Sequence, residues 1–322
     1  MAKVELTIAC GDYDRTRPLW DGSVQADGLK LNVILLPVEE IFLRMARYQE
    51  FEASELSMST FLITQSRGNP RFVAIPAFPS RKFRHGDIYI RKGSQIEKAE
   101  DLRGKKIGMP EYQMTAAVWM RGILQEFYGV GVTEVNWFTA HEERFKIEFP
   151  PSISVKVIPN NTNLFDLLRE GELEAIFTAR TPPPFLKGED WIVRLFQNFR
   201  EVEEDYFFRT KIFPIMHTFV LRADIYQKYP WAAQSLYKAL CQAKDKSLKN
   251  LLNLGAPPVS LPWFFHEMER SIKIMGRNFW PYGFEANKLA MLKLIQYMKE
   301  QKLIPESFPQ EVESLFAKNT LQ

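Results

Sequence analysis

A pattern of strand, polar loop and helix runs along this chain and then restarts, which calls for more than one α/β unit. VELTIAC alternates apolar with polar residues and ends at Gly11, so it reads as a strand delivering its carboxyl end to the loop GDYDRTRPL. A second strand, LKLNVILL, is followed by Pro37 and a helix from Val38 to Tyr48 with Ile41, Phe42, Met45 and Tyr48 on one face. FEASEL is a short strand, and SMSTFLITQS opens a helix capped by Ser57 or Ser59. RFVAIPAF and DIYIRK are strands bracketing a basic loop within FPSRKFRHGDIYIR. From QIEKAEDLRGKKIGMPEYQMTAAVWMRGILQEFYG the pattern begins again: a short helix, a charged turn, the strand KIGM, a polar loop, and a helix through Thr115 to Tyr128. VNWFTA, SVKVIP and EAIFTA follow as strands, and NLFDLLREGEL as a helix ended by Gly171. TPPPF reads as a rigid loop, because three successive prolines offer no backbone donors. FPIMHTFVLRADI returns to a strand, and the remainder is mostly helical.

Strand and helix alternation predicts α/β layers, and 322 residues suggest two lobes, which leave room for a cleft. The expected division is residues 1–91 plus 214–322 as the first lobe and 92–213 as the second. Two extended crossings, near 87–92 and 214–222, would form a two-strand hinge. One continuous α/β domain is the competing expectation.

The chain is nearly charge-balanced, at +3, with no run of five or six like charges, so the electrostatic footprint of a nucleic-acid binder is missing. Any anion site must be local. Cys10 and Cys241 have no CxxC partner, which argues against zinc and for a reduced, cytoplasmic pair. The first apolar run breaks at Gly11 and is followed by Asp12, Asp14, Arg15 and Arg17, so no secretory signal is expected. The longest charge-free run, residues 250–266, is broken by Pro257, Pro258 and Pro262, and no membrane span is expected either.

Three loops in the first half each follow a strand, and ligands in open α/β sheets bind beyond the carboxyl ends of strands. These loops supply Arg15, Arg17, Ser57, Ser59, Arg81, Arg84 and His85. A cluster of cations is equally well a solvated face, and Lys82 and Arg84 are expected to face water. In the second half, Glu111, Tyr112, Gln113 and Thr115 stand at a helix start, where free N–H groups favour an anion, although Thr115 alone reads as a plain cap. Arg180 ends an apolar strand and is expected to face the cleft, with a surface salt bridge as the alternative. His217, in IFPIMHTFVL, is as readily a buried structural imidazole as a catalytic one, while His141 and His266 read as surface. PYGFEAN is an aromatic turn capped by Asn287 and reads as packing. HExxH, a Gly-rich phosphate loop and GxSxG are all absent.

In this order and spacing, GDYDRTRPL, ELSMSTF, FPSRKFRH, GMPEYQMTAAVW, FPIMH and FWPYGFEAN resemble the 4,5-dihydroxyphthalate decarboxylase family, from about residue 5 to 290. The resemblance implies a two-lobe, type 2 periplasmic-binding-protein-like α/β fold. The implied reaction is decarboxylation of a hydroxylated aromatic dicarboxylate, 4,5-dihydroxyphthalate going to protocatechuate and carbon dioxide by protonation of the ring carbon that bears the carboxylate. On that chemistry Arg15, Arg81 and Arg180, with the Ser59 and Thr115 helix starts, hold carboxylates, and Ser57 and Gln113 line the site. His85 or His217 donates the proton, with His85 preferred because it lies in the basic loop, and Glu111 with Tyr112 contacts the diol. TARTPPP departs from relatives, which tend to have a Gly-Pro pair before the arginine; Arg180 is intact, and the loop shape and exact substrate stay open. No cofactor is expected and no motif calls for a metal, while a divalent ion bridging His85, Glu111 and the catechol oxygens is left open, as is the oligomeric state. The competing functions are a non-enzymatic solute-binding protein or sensor for aromatic carboxylates, and a menaquinone-pathway lyase, for which the arginine set is an odd fit.

Overall fold

The computed structural model describes residues 2–68, 70–159, 162–252, 255–309 and 311–321. Its strands, in chain order, are β1 (Val4–Cys10), β2 (Leu29–Leu35), β3 (Ala53–Ser57), β4 (Phe72–Arg81), β5 (Ile88–Arg91), β6 (Lys106–Met109), β7 (Asn136–Thr139), β8 (Val155–Val157), β9 (Ala175–Phe177), β10 (Ile192–Arg194) and β11 (Ile215–Arg222). They form two sheets, and the chain divides into two units. Unit 1 comprises Met1–Arg81, Ile215–Met291 and Pro309–Gln322; unit 2 comprises Lys82–Pro214 and Leu292–Phe308.

In unit 1 the strand order is β2-β1-β3-β11-β4. β1 pairs parallel to β2 and β3, and β11 runs antiparallel between β3 and β4. The carboxyl ends of β1, β3 and β4 and the start of β11 therefore lie along one sheet edge. All five residues of β3 are buried, as a central strand covered on both faces requires. The helix Val38–Tyr48 buries Ile41, Phe42, Met45 and Ala46 and stops at Gln49, whose φ of 51° turns the chain out of the helix. The helix Met58–Ser66 is buried from Met58 through Thr64, so its polar residues at the β3 junction are core residues.

In unit 2 the order is β10-β5-β9-β6-β7-β8, with β6, β7, β8 and β9 parallel and β5 antiparallel to β9. The helix Thr115–Tyr128 packs its Gly122 so closely on the ring of Tyr297 that a Cβ there would collide with it. Gly129 and Gly171, at φ of 65° and 82°, end helices in the left-handed region that glycine enters without penalty.

Two local expectations change. TPPPF is not a loop throughout: Pro183–Leu186 form a short helix, with prolines in a first turn whose N–H groups have no intrahelical acceptor to lose. The basic segment is not all loop either, because β4 continues to Arg81, which pairs with Ile215 of β11.

Candidate functional site

A carboxylate with no access to water organises the carboxyl edge of unit 1. Glu55, in the middle of β3, is 0 % exposed. β3 and β11 pair with Glu55 opposite Phe219 and Ser57 opposite His217, so Glu55 and His217 are diagonal neighbours on one face. Their side chains meet: His217 Nδ1 lies 2.5 Å from Glu55 Oε1. The same oxygen accepts the Tyr13 hydroxyl at 3.0 Å, and Oε2 accepts the Gly11 amide at 3.0 Å. Burial drives the Glu55 carboxyl upward, but the hydrogen bond and charge of His217, with the Gly11 amide and the Tyr13 hydroxyl, outweigh it and hold the group below its ordinary value. Burial first, and then the Glu55 charge, raise the Tyr13 phenol far above its ordinary value and push the Cys10 thiol to about 12. The His217 ring packs edge-on against Phe42 at 4.7 Å, and its side chain keeps 14 % of its surface open.

Beside this dyad, the Arg15 guanidinium lies over the rings of Tyr13 and Trp280, 4.1 and 4.3 Å from their centroids. Its Nε donates to the Pro79 carbonyl and one terminal nitrogen to Asp14 at 3.1 Å. Ser57 and Ser59 are buried with their hydroxyls 3.2 Å apart. Ser57 occupies the cap position of the helix Met58–Ser66, but its side chain makes no capping bond. Arg81, 6 % exposed, donates to the Pro281 carbonyl at 2.9 Å and to the Asn287 side-chain oxygen. Burial lowers its pKa to about 9.

The remaining candidates belong to unit 2. His85 is buried against Tyr128, Phe196 and Tyr206, with ring separations of 6.2, 5.3 and 5.5 Å, and burial lowers its pKa to about 4. Its Nδ1 has no hydrogen-bond partner. The expectation that Arg84 faces water is corrected: it is 5 % exposed and pairs at 2.7 Å with Asp87, which the short helical turn His85–Asp87 folds back beneath it. Lys82 reaches the same carboxylate at 2.7 Å and stays half exposed.

Glu111 pairs with Arg144 at 2.9 Å. The amides of Tyr112 and Gln113, 2.6 and 2.8 Å from Glu143, are occupied by that carboxylate. Burial raises Glu143 above the ordinary carboxyl value. The Tyr112 ring lies in the core, with the Arg121 guanidinium 3.6 Å from its centroid. Thr115 is the first residue of its helix, the cap position falling to Met114. Arg180 is exposed, and its backbone exchanges hydrogen bonds with the Thr178 hydroxyl.

Arg15, Ser57, Ser59, Arg81 and His217 are thus brought to one edge of the unit 1 sheet, while His85, Glu111, Tyr112, Gln113, Thr115 and Arg180 belong to unit 2. Sequence reasoning overlooks Glu55 and Tyr13. The available signal for Glu55 is an acid in the middle of a short strand, where exposure on one face is the ordinary reading. Among the described residues no three His, Cys, Asp or Glu side chains come together in a way that could hold a metal ion.

No family model matches the chain. It is 36% identical over 293 residues to a 4,5-dihydroxyphthalate decarboxylase of Comamonas testosteroni, covering 89% of each chain. It is 38% identical over 213 residues to a 4,5-dihydroxyphthalate decarboxylase of Pseudomonas putida, covering 64% of this chain and 83% of that one. Among solved structures it is similar to the alkanesulfonate-binding protein SsuA of Xanthomonas axonopodis pv. citri bound to MOPS, with a TM-score of 0.53, 12% identity, and 95% and 96% of the two chains covered. The fold is that of the periplasmic binding proteins. No helix among the described residues is long and apolar enough to cross a membrane.

Proposed function

The chain belongs to the 4,5-dihydroxyphthalate decarboxylase family, and from that premise we propose that its chemistry takes place at the carboxyl edge of the unit 1 sheet, with His217 as the proton donor. The enzyme is a lyase that releases carbon dioxide from 4,5-dihydroxyphthalate and leaves protocatechuate. The observation that carries the assignment of the acid is the 2.5 Å contact between His217 Nδ1 and the buried Glu55 carboxylate.

Each carboxylate of the substrate has a hydroxyl para to it. A proton delivered to the carboxylate-bearing ring carbon gives a cation that the para oxygen stabilises. Breaking the carbon–carboxylate bond then returns its electron pair to the ring and expels carbon dioxide. The protein must supply a proton at that carbon and a counter-charge for the carboxylate that stays. With Nδ1 taken by Glu55, the proton that His217 can offer is the one on Nε2. Glu55 stabilises the imidazolium and fixes the ring plane, the role a buried carboxylate plays behind a catalytic histidine. Arg15, in contact with two aromatic rings, supplies the positive charge. Ser57 and Ser59 add donors at a helix start.

His85 suits the acid's role less well: pushed to about pKa 4 by burial, it is neutral at pH 7. Free thiols at Cys10 and Cys241 support a reducing, cytoplasmic setting.

The test is product analysis. Incubation with 4,5-dihydroxyphthalate in deuterium oxide should give equimolar carbon dioxide and protocatechuate, with one deuterium at the former carboxylate position. Phthalate, which lacks the para hydroxyls, should bind and release nothing. Tight binding of 4,5-dihydroxyphthalate without carbon dioxide release would contradict the reading and leave a binding protein.

A further inference from the structure

The aromatic turn after Trp280 is tied down on every side of one residue whose own polar group is unsatisfied. Trp280 Nε1 donates to the Phe78 carbonyl at 3.0 Å. The Asn287 amide donates to the carbonyls of Pro281 and Gly283 at 3.1 and 2.7 Å, and Arg81 donates to Pro281 and to Asn287. The Gly283 amide reaches the Pro76 carbonyl at 2.8 Å. Gly283 itself, at φ of 97°, holds a conformation that a side chain would strain. Between Pro281 and Gly283 stands Tyr282, 9 % exposed, and its buried hydroxyl has no hydrogen-bond partner.

A buried hydroxyl left bare is a cost that a fold ordinarily avoids. Tyr89, Tyr112 and Tyr206 are also bare, but they belong to unit 2, where aromatic rings pack on all three and the guanidiniums of Arg194 and Arg121 lie over Tyr89 and Tyr112. Tyr282 is, among the described residues of unit 1, the one tyrosine in this condition. Its surroundings are charged: Arg15, whose guanidinium covers the neighbouring Trp280 ring, together with Glu55 and Arg81, acts on its hydroxyl. Lys244 Nζ lies 5.7 Å from the Tyr282 ring centroid and pairs with Asp245 at 2.6 Å. Burial raises the phenol well above its ordinary value, so at neutral pH it is a donor.

We propose that Tyr282 is a substrate-contacting residue whose hydroxyl donates a hydrogen bond to the carboxylate that the product retains. Arg81 and Asn287 are then positioning residues that hold the turn carrying it. The identity of the ligand rests on the decarboxylase reading; the contact with an aromatic carboxylate is testable apart from it.

The experiment is calorimetry on Tyr282→Phe with three unreactive probes: phthalate, protocatechuate and catechol. The variant should bind phthalate and protocatechuate at least about tenfold more weakly, as befits a lost hydrogen bond to a charged group. It should bind catechol, which has no carboxylate, as the parent does. Its thermal midpoint should be unchanged or higher, because the hydroxyl removed has no protein partner. Unchanged affinity for the two carboxylates, equal weakening toward catechol, or a lowered midpoint alongside the weakening would overturn the proposal. So would a parent protein that binds neither carboxylate. A parent that binds both but releases no carbon dioxide from 4,5-dihydroxyphthalate contradicts the decarboxylase reading and leaves the Tyr282 contact standing on its own result.

Discussion

Glu55 and His217 are diagonal neighbours across the β3–β11 pair, joined at 2.5 Å although 162 residues separate them in the chain. The carboxylate also accepts Gly11 and Tyr13, so its position is set by three groups from two other strand ends. If it acts by orienting the imidazole, Glu55→Gln should lower kcat by about 100-fold, within the roughly 100- to 10,000-fold range of general acid catalysis, and leave KM nearly unchanged. Steady-state kinetics on a variant that keeps the parent circular dichroism spectrum checks this. A rise in KM at constant kcat would make Glu55 a binding residue instead.

Arg15 should matter through its shape as well as its charge. Arg15→Ala should weaken phthalate binding by about 2 to 5 kcal/mol. Arg15→Lys should not restore it, because a compact ammonium cannot keep the contacts that the broad guanidinium makes with the Tyr13 and Trp280 rings. Calorimetry showing full rescue by lysine would reduce the site to a point charge.

Glu203 gives a pH dependence of known sign. Burial raises its pKa from 4.5 to about 7, although it accepts the Gly86 amide at 3.0 Å. A raised carboxyl favours the folded state fully below the unfolded value, and that advantage is lost as pH rises from about 4.5 through 7. The penalty at pH 8 is on the order of 3 kcal/mol. Glu203→Gln keeps an acceptor for Gly86 and carries no charge, so urea unfolding should find it more stable than the parent at pH 8 and nearly equal at pH 4. The same difference at both pH values would mean that ionisation is not the cause.

Gly122→Ala tests the packing of unit 2. Alanine is the better helix former by about 1 kcal/mol, but its Cβ would strike the ring of Tyr297, which is fully buried and hydrogen-bonded to Glu126. Overpacking costs about 1 to 3 kcal/mol, so the urea midpoint should fall. A raised midpoint would show that the ring yields.

The periodic elements are legible in the sequence because their signals are local. The helix Thr115–Tyr128 and the strand Lys106–Met109 appear where apolar spacing and turn residues put them. The fate of the basic segment is less legible. Arg84 pairs with an acid three residues on, and Arg81 with an amide 206 residues away, and neither partner is implied by the cations themselves. The Glu55–His217 pair is hidden for the same reason: β3 meets β11 only through the order of the sheet, which no local window encodes. Tyr282 reads as packing because an aromatic run gives no sign that one hydroxyl lacks a partner.

The central claim is that His217 carries the proton. His217→Gln should bind 4,5-dihydroxyphthalate with an affinity close to the parent's, measured by calorimetry at a temperature where turnover is negligible. Its rate of carbon dioxide release should fall by about 100- to 10,000-fold, while His85→Gln releases carbon dioxide at the parent rate. Parent-like turnover in His217→Gln, or its loss in His85→Gln alone, would contradict the account.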